Sequence, residues 1–376
     1  NGPYSNQKRG SVKVYIYNGS SWSRRGSDID AWHNDFAARW GNSVALNDAG
    51  TILAAGAPDG STAGNTQNHG LVRVYRYIGS DWTRISYTTA GEVNGDDFGH
   101  SVALNSSGSI LAVGAIKNDG GGTDSGAVRV YSINTTATTY TQSLSRIGGD
   151  IDGEDDGDYF GYSVDLNGDG TILAIGANKA EGGGSNRGHV KVYEYSSSSW
   201  SQIGDNITGS SSGDQSGITV SISSDGTIVA IGSLGNYVKL YKYSSGSWSQ
   251  ISITLTGVGA FGNSISLTSD GSYLAVGAQN AESLDGSAAV YQIPTITNTT
   301  YNYNVNSPIN NLYIEEIHII TDNGSRFSGN NLLHYASDNT SDSGTSDSIL
   351  HGLNTDKGLK WVVKVTNGSN AAINPS

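Results

Sequence analysis

The chain of 376 residues has no cysteine, no methionine and only 5 prolines. Without cysteine it can hold no disulfide and no thiolate metal site, and composition leaves the redox compartment open. No run approaches the roughly 20 consecutive apolar residues that a bilayer-spanning helix needs, so no segment reads as a membrane span. Long apolar stripes at helical spacing are missing too. Basic residues are scarce, 21 against 34 acidic, for a formal net charge of -13. A surface of that sign repels phosphate backbones, which argues against nucleic acid. It suits calcium, other cations, or simple solubility. The chain begins at Asn1 with no leader-like segment, and reads as a processed or truncated form.

Glycine, in contrast, is abundant at 52 residues. With Ser, Thr and Asn it fills the stretches between short apolar runs, as the turns of a strand-rich protein require. Hydrophobic content is only 36%, yet a chain this long can bury a core, and one all-β domain can use most of it.

Internal self-similarity carries the fold. Phe160-Gly-Tyr-Ser-Val-Asp-Leu-Asn167 recurs as Phe98-Gly-His-Ser-Val-Ala-Leu-Asn105 and as Trp40-Gly-Asn-Ser-Val-Ala-Leu-Asn47. Weaker copies are Phe261–Thr268 and Ser216–Ser223. The glycine of this motif stands at 41, 99, 161, 217 and 262, as in a unit with variable loops. A turn follows each copy, then a second strand of the pattern T-I-L-A-V-G-A ending at Ala57, Ala115, Ala177, Ser233 and Ala278. A third strand begins at Val12, Val72, Val128, Val190, Val238 and Ala289, and a fourth near Trp22, Trp82, Tyr140, Trp200 and Trp248.

The periods within a copy are those of strands. In Val190-Lys-Val-Tyr-Glu-Tyr195, the valines share one face and Lys191, Tyr193 and Tyr195 the other. Bulk on both faces fits a sheet held between neighbouring sheets, the lysine stem lying along an aromatic while its charge reaches water. Ile-Leu-Ala-Ile-Gly-Ala is small and apolar throughout, which suits a strand near a crowded central axis. Four short antiparallel strands repeated about five times predict an all-β fold, a β-propeller of tandem four-stranded blades. Counting first strands gives five blades and counting third strands gives six. Asn1–Tyr17 reads as the loop and third strand of a copy whose first two strands are missing, so strands from both termini or from another chain could close the ring, and a longer chain could form seven blades.

The copies resemble FG-GAP repeats, which build the ligand-binding head of integrin α chains. Phe98-Gly99, Phe160-Gly161 and Phe261-Gly262 carry the resemblance, paired with Gly56-Ala57-Pro58, Gly114-Ala115, Gly176-Ala177 and Gly277-Ala278. It covers roughly residues 1–293 and implies a fold more than a ligand. Residues 1–294 are expected to form the propeller. Residues 295–376 are expected to form a separate β-rich tail, with strands at Leu312–Ile320 and Trp361–Val365. This tail faintly resembles the opening half of a discoidin-type, galactose-binding sandwich.

Two acidic loops are candidate metal sites. Acids at Asp150, Asp152, Glu154, Asp156 and Asp158 alternate as calcium loops often do. Against this, an aspartate two before the motif's aromatic recurs at Asp96, Asp158 and Asp214, a regularity that favours capping of a turn. The second loop rests on the resemblance, which implies calcium between the first and second strands. Carried over, the ligands are the side chains of Asp165, Asn167 and Asp169 and the carbonyl of Thr171, while a later acidic ligand would fall on Leu173, which cannot coordinate. The other copies keep the glycine and lose the ligands, and read as hairpin turns.

Sequons at Asn18, Asn105, Asn134, Asn206, Asn298, Asn323, Asn339 and Asn367 are candidate glycosylation sites on a eukaryotic secretory route. Trp22, Trp82, Trp200 and Trp248 sit at equivalent positions and read as inter-blade packing, whereas Trp32 and Trp361 fall outside the repeat slots and are candidate exposed contacts. Histidines 33, 69, 100, 189, 318, 334 and 351 lack metal-binding spacing, and neither a nucleophile elbow nor a phosphate loop is present, which argues against an enzyme. The expectation is an extracellular structural or adhesive protein that self-assembles into a filament or surface layer. The alternative is a cell-surface module binding protein or glycan through calcium-shaped loops.

Overall fold

A computed structural model describes residues 10–31, 39–61, 68–140, 144–181, 185–281 and 286–293, with the backbone of four strands in 312–373. The chain divides into two units, one of Asn1–Ser252 with Gly257–Ile293, the other of Ile253–Thr256 with Pro294–Ser376. All described regular structure is β-strand.

The first unit is a five-bladed propeller. Blade 1 orders its strands Ser43–Leu46, Ile52–Ala57, Leu71–Ile78 and Asp81–Arg84; blade 2 orders Phe98–Leu104, Ile110–Ala115, Ala127–Ser132 and Ser145–Arg146. Blade 3 runs Phe160–Leu166, Ile172–Ala177, His189–Ser196 and Ser199–Gln202; blade 4 runs Thr219–Ile222, Ile228–Ser233, Tyr237–Ser244 and Ser247–Thr256. Blade 5 has three described strands, Phe261–Leu267, Tyr273–Ala278 and Ser287–Gln292. Before blade 1, Ser11–Val12, Tyr15–Tyr17, Trp22–Arg24 and Ile29–Asp30 form an outer half-blade.

Two features differ from the expectation. Blades 1 to 3 each add a two-residue strand, such as Thr89–Ala90, beside the third strand. In blade 2 the fourth strand is Ser145–Arg146, and Tyr140 lies outside it, its ring held by Tyr87 and the Arg84 guanidinium.

The glycine after the aromatic has one physical cause. Gly99, Gly161 and Gly262 have φ of 86°, 88° and 88°, at a register shift in the pairing of strands one and two. A side chain there would be strained, and a Cβ on Gly161 would meet the Ala127 carbonyl at 2.9 Å. The glycine of the second strand serves close approach: a Cβ on Gly114 would collide with the Gly161 carbonyl of the next blade.

The core lies between blades. Ile52, Ala54, Val72 and Val74 of blade 1 pack against Val102, Leu104, Leu111 and Val113 of blade 2. Ala112, Val128 and Val130 of blade 2 meet Val164, Leu166, Leu173 and Ile175 of blade 3 in the same way. Blades 2 and 3 thus bury inner-strand residues on both neighbours, which is why both faces of the strands carry bulk.

In the second unit, Leu312–Ile320 pairs antiparallel with both Arg326–Ser328 and Lys360–Asn367, and the latter pairs with Ala372–Ile373. The expected strands are therefore present. The likeness to a discoidin-type sandwich finds no support beyond them.

Candidate functional site

Polar side chains stitch the blades together. The Ser43 hydroxyl donates to the carbonyl of Gly99 at 2.8 Å, Ser101 to Gly161 at 2.7 Å and Ser163 to Gly217 at 2.8 Å. In each case the serine is the one three residues after the motif aromatic, as in F-G-x-S, and the acceptor is the motif glycine one blade on. At the hairpin turns a backbone ladder runs the same way: Asp48 N–H to Ser106, Ser106 to Gly168, Gly168 to Ser224 and Ser224 to Ser269. Around the outside, Trp82, Trp200 and Trp248 donate from Nε1 to the carbonyls of Arg25, Ile147 and Ile203 in the preceding blade. These three tryptophans are inter-blade struts, as expected; Trp22, expected to pack likewise, is 68% exposed. The serines were missed, although their recurrence in every F-G-x-S copy was visible.

Cations also line the seams. Arg73, Arg129 and Lys191 occupy the same third-strand position and are all buried. Arg73 lies over the Trp40 ring and Arg129 over Phe98, so the stems do follow aromatics. Their charges do not reach water. Lys191, 2% exposed, meets Glu154 through Nζ at 2.6 Å, and Arg129 meets Asp150 at 3.0 Å and Glu92 at 2.8 Å. A loop carboxylate reaches in because a buried charge needs a partner.

This pairing disperses the acidic run. Asp150 holds Arg129 and Arg146, Glu154 holds Lys191, and Asp156 accepts the Thr123 N–H at 2.7 Å. Asp152 is exposed in its two-residue strand. Asp158 is buried, and burial together with the neighbouring Asp155 pushes its carboxyl up to about 6. The related Asp96 and Asp214 cap turns: Asp96 accepts from Glu92 and Val93 N–H, Asp214 from Ser210 and Ser211 N–H.

The 165–171 loop is engaged in the same manner. Asp165 points to blade 4 and accepts the Ile222 N–H at 2.9 Å, its second oxygen taking the Leu166 N–H at 3.0 Å. Burial outweighs these donors and pushes its carboxyl up to about 6. Asn167 accepts from the N–H groups of Gly170, Thr171 and Ile172, and Asp169 accepts from the Thr171 N–H and hydroxyl. Asn47 and Asp225 close the turns of blades 1 and 4 likewise. Among the described residues no three His, Cys, Asp or Glu side chains converge as a metal cluster.

The sequons separate. Asn18, Asn134 and Asn206 are exposed. Asn105 is 2% exposed and its amide nitrogen donates to the Asp169 carbonyl of the next blade, so the folded chain has no room for a glycan there, a correction to the sequence reading. Asn298, Asn323, Asn339 and Trp32 lie outside the described residues, and Asn367 and Trp361 are placed only as members of strand Lys360–Asn367. His100 and His189 are pushed down to about 4 by burial and nearby cations, and stay neutral at pH 7.

The row of blades ends in two apolar faces of inter-blade type. On blade 5, Tyr273 and Val290 are 44% and 71% exposed, at positions matching the buried Ala54–Val74 face of blade 1. They line a groove of about 760 Å³ with Ser266, Leu267, Ser269 and Ala275. At the other end Val44 and Leu46 are 52% and 44% exposed, whereas their counterparts Val102 and Leu104 are buried.

The fold and its stitching define a β-propeller scaffold. The FG-GAP repeat family matches residues 82–131 and 151–193, which take in the last strand of blade 1 and the first three strands of blades 2 and 3. The chain carries FG-GAP repeats, and such propellers are adhesion-type or binding modules, typically without enzymatic activity and usually in extracellular or surface proteins. No curated protein matches the sequence. No helix among the described residues is long and apolar enough to cross a membrane.

Proposed function

We propose that the chain is a structural or adhesive protein of the cell exterior, a propeller unit that self-assembles into a filament or surface layer. The pair of unpartnered faces at the two ends of the blade row carries this reading. Exposed apolar patches of this kind mark interaction sites. Because the two faces differ, a contact between copies would be head-to-tail, the type that generates rings or open filaments. The FG-GAP match supports an extracellular setting, and the exposed sequons at Asn18, Asn134 and Asn206 fit it. The polar groups placed so far are used in capping, stitching and seam pairing, which supports a scaffold in place of a catalyst.

Sedimentation of the full chain over a range of concentrations, with electron microscopy of the same samples, tests the reading. Concentration-dependent oligomers and ordered arrays of discs are expected. A monomer at every concentration would overturn self-assembly and favour a cell-surface module that binds protein or glycan.

A further inference from the structure

We infer that the seam of blades 3 and 4 holds a binding site for the carboxylate group of an external ligand, formed by Lys239 and Arg187 on either side of Ser210. The site uses no residue of either apolar end face, so it stands apart from self-assembly.

One repeat position sets blade 4 apart. Lys239 stands opposite Ile231 as Lys191 stands opposite Ile175 and Arg129 opposite Val113, so it is the seam cation of its blade. Arg129 and Lys191 are each met by the glutamate four residues before the recurrent aspartate, Glu92 before Asp96 and Glu154 before Asp158. The residue four before Asp214 is Ser210, which brings no charge. Lys239 donates from Nζ to the Ser210 hydroxyl and lies over the Tyr237 ring, and no carboxylate among the described residues comes within ion-pair distance of it. Asp214, whose charge it feels, is spent otherwise: its Oδ2 accepts the Ser210 and Ser211 N–H groups and the Tyr237 hydroxyl.

Blade 3 adds a second cation at the same place. Arg187 donates from Nε to the Gly209 carbonyl and from Nη2 to the Ser210 carbonyl, the latter at 2.9 Å. Its counterpart in blade 2, also the residue before a glycine, is the uncharged Ser125. Two cations therefore flank Ser210, where the neighbouring seams set a cation against loop carboxylates. Burial holds the Lys239 ammonium below its ordinary pKa; the charge of Asp214 offsets part of this, and that of Arg187 adds to it. An ammonium that is partly desolvated and close to another cation is stabilised by an anion that reaches it. Access is open, because Ser210 is exposed and the glutamates at its position in the other seams keep 57% and 65% of their side chains in solvent. A carboxylate is the group that fits, since a carboxylate fills the equivalent place beside Arg129 and Lys191. In a chain of formal charge -13 the site is a local reversal of sign, which favours an acidic ligand over a cationic one.

Competitive labelling of lysines tests the site. Acylation takes the neutral amine, so a carboxylate at Lys239 should slow its labelling, both by raising its pKa and by covering it. The full chain is treated with an acetylating N-hydroxysuccinimide ester in sodium glucuronate, in the sodium salt of N-acetylglutamic acid α-amide, or in sodium chloride of equal ionic strength. Mass spectrometry then reads each lysine. Labelling of Lys239 should fall about three- to tenfold in saturating carboxylate relative to chloride, the effect of a rise of up to about one pKa unit. Lys191, which already holds Glu154, should not respond. The two carboxylates distinguish a sugar acid from a peptide acid by which protects at lower concentration. Ser210→Glu should slow Lys239 labelling in chloride alone and remove the response to both carboxylates. Equal labelling of Lys239 in all three salts would overturn the inference. A response of full size in Ser210→Glu would overturn it too, because the ligand would then sit elsewhere.

Discussion

The Ser101 hydroxyl donates to the carbonyl of Gly161, 2.7 Å away and one blade further on. Its counterpart in blade 5, Ser264, occupies the same register with no acceptor among the described residues. Ser101→Ala should therefore destabilise by about 0.5–1.5 kcal/mol, the net worth of a hydrogen bond. Ser264→Ala should fall within about 0.5 kcal/mol of the parent, as surface changes do. Urea unfolding of both variants checks the contrast; equal losses would refute the assigned stitch.

The three exposed sequons of the propeller and the buried one should behave differently. Secreted from eukaryotic cells, the folded chain should carry glycan at Asn18, Asn134 or Asn206 and none at Asn105. Asn105 is packed at the blade 2–3 turn with its amide donating to Asp169, and a sugar there is incompatible with that bond. Site-resolved mass spectrometry of the secreted protein decides it, and glycan on Asn105 would contradict the packing.

The blades were legible because the repeat writes each strand five times, and chance alternation does not survive five copies. Phe160-Gly161 and Ile172–Ala177 could be placed on first and second strands from residue type alone. The two-residue strands such as Ile151–Asp152 were not legible, because period two needs more residues than that to register. Lys191 was read as snorkelling to water, since a strand pattern does not reveal that Glu154, 37 positions earlier, reaches over the seam. The role of Asp165 was hidden for the same reason: its partner Ile222 lies in the next blade. Contacts within a copy were readable, while contacts between copies, the recurrent tryptophans apart, needed the fold.

Lys191 and Glu154 make a lopsided pair, the lysine buried and the glutamate largely exposed. Glu154→Gln leaves a buried charge without its partner and should cost about 1–2 kcal/mol, between the values for exposed and buried pairs. Lys191→Met fills the same seam without charge and should lie within about 1 kcal/mol of the parent. The hydrogen bond from Lys191 holds the Glu154 carboxyl below the usual range. Its contribution is therefore present above the ordinary glutamate pKa and lost as pH falls through the lowered one. The Glu154→Gln penalty should be visible at neutral pH and shrink in acid. A penalty independent of pH would point to packing instead.

Calcium should not be needed to hold the 165–171 loop. Asp165 spends both carboxylate oxygens, and Asn167 and Asp169 their Oδ1 atoms, on protein donors. A bound ion would stabilise the native state by mass action. Thermal unfolding with excess calcium and then with excess chelator should give the same midpoint. A rise with calcium that the chelator reverses would show that the loop reorganises around the ion.

Asp165 gives the protein a pH dependence of opposite sign to that of Glu154. Its carboxyl is pushed up to about 6 by burial, from an ordinary value of 3.8. The folded chain thus binds this proton more tightly than the unfolded chain. Stability linked to the group falls as pH rises from about 4 to about 6, and the full penalty applies above that window. Asp165→Asn retains an acceptor for the Ile222 N–H and carries no charge to bury. Its stability relative to the parent should increase from pH 4 to pH 7 and level off beyond. Asp158 also rises to about 6, but it is present in both proteins and cancels in the difference. Melting midpoints of the two proteins across this range measure the effect. A difference that is flat with pH would mean that the Asp165 carboxylate titrates normally, solvated at the edge of the blade 3–4 seam.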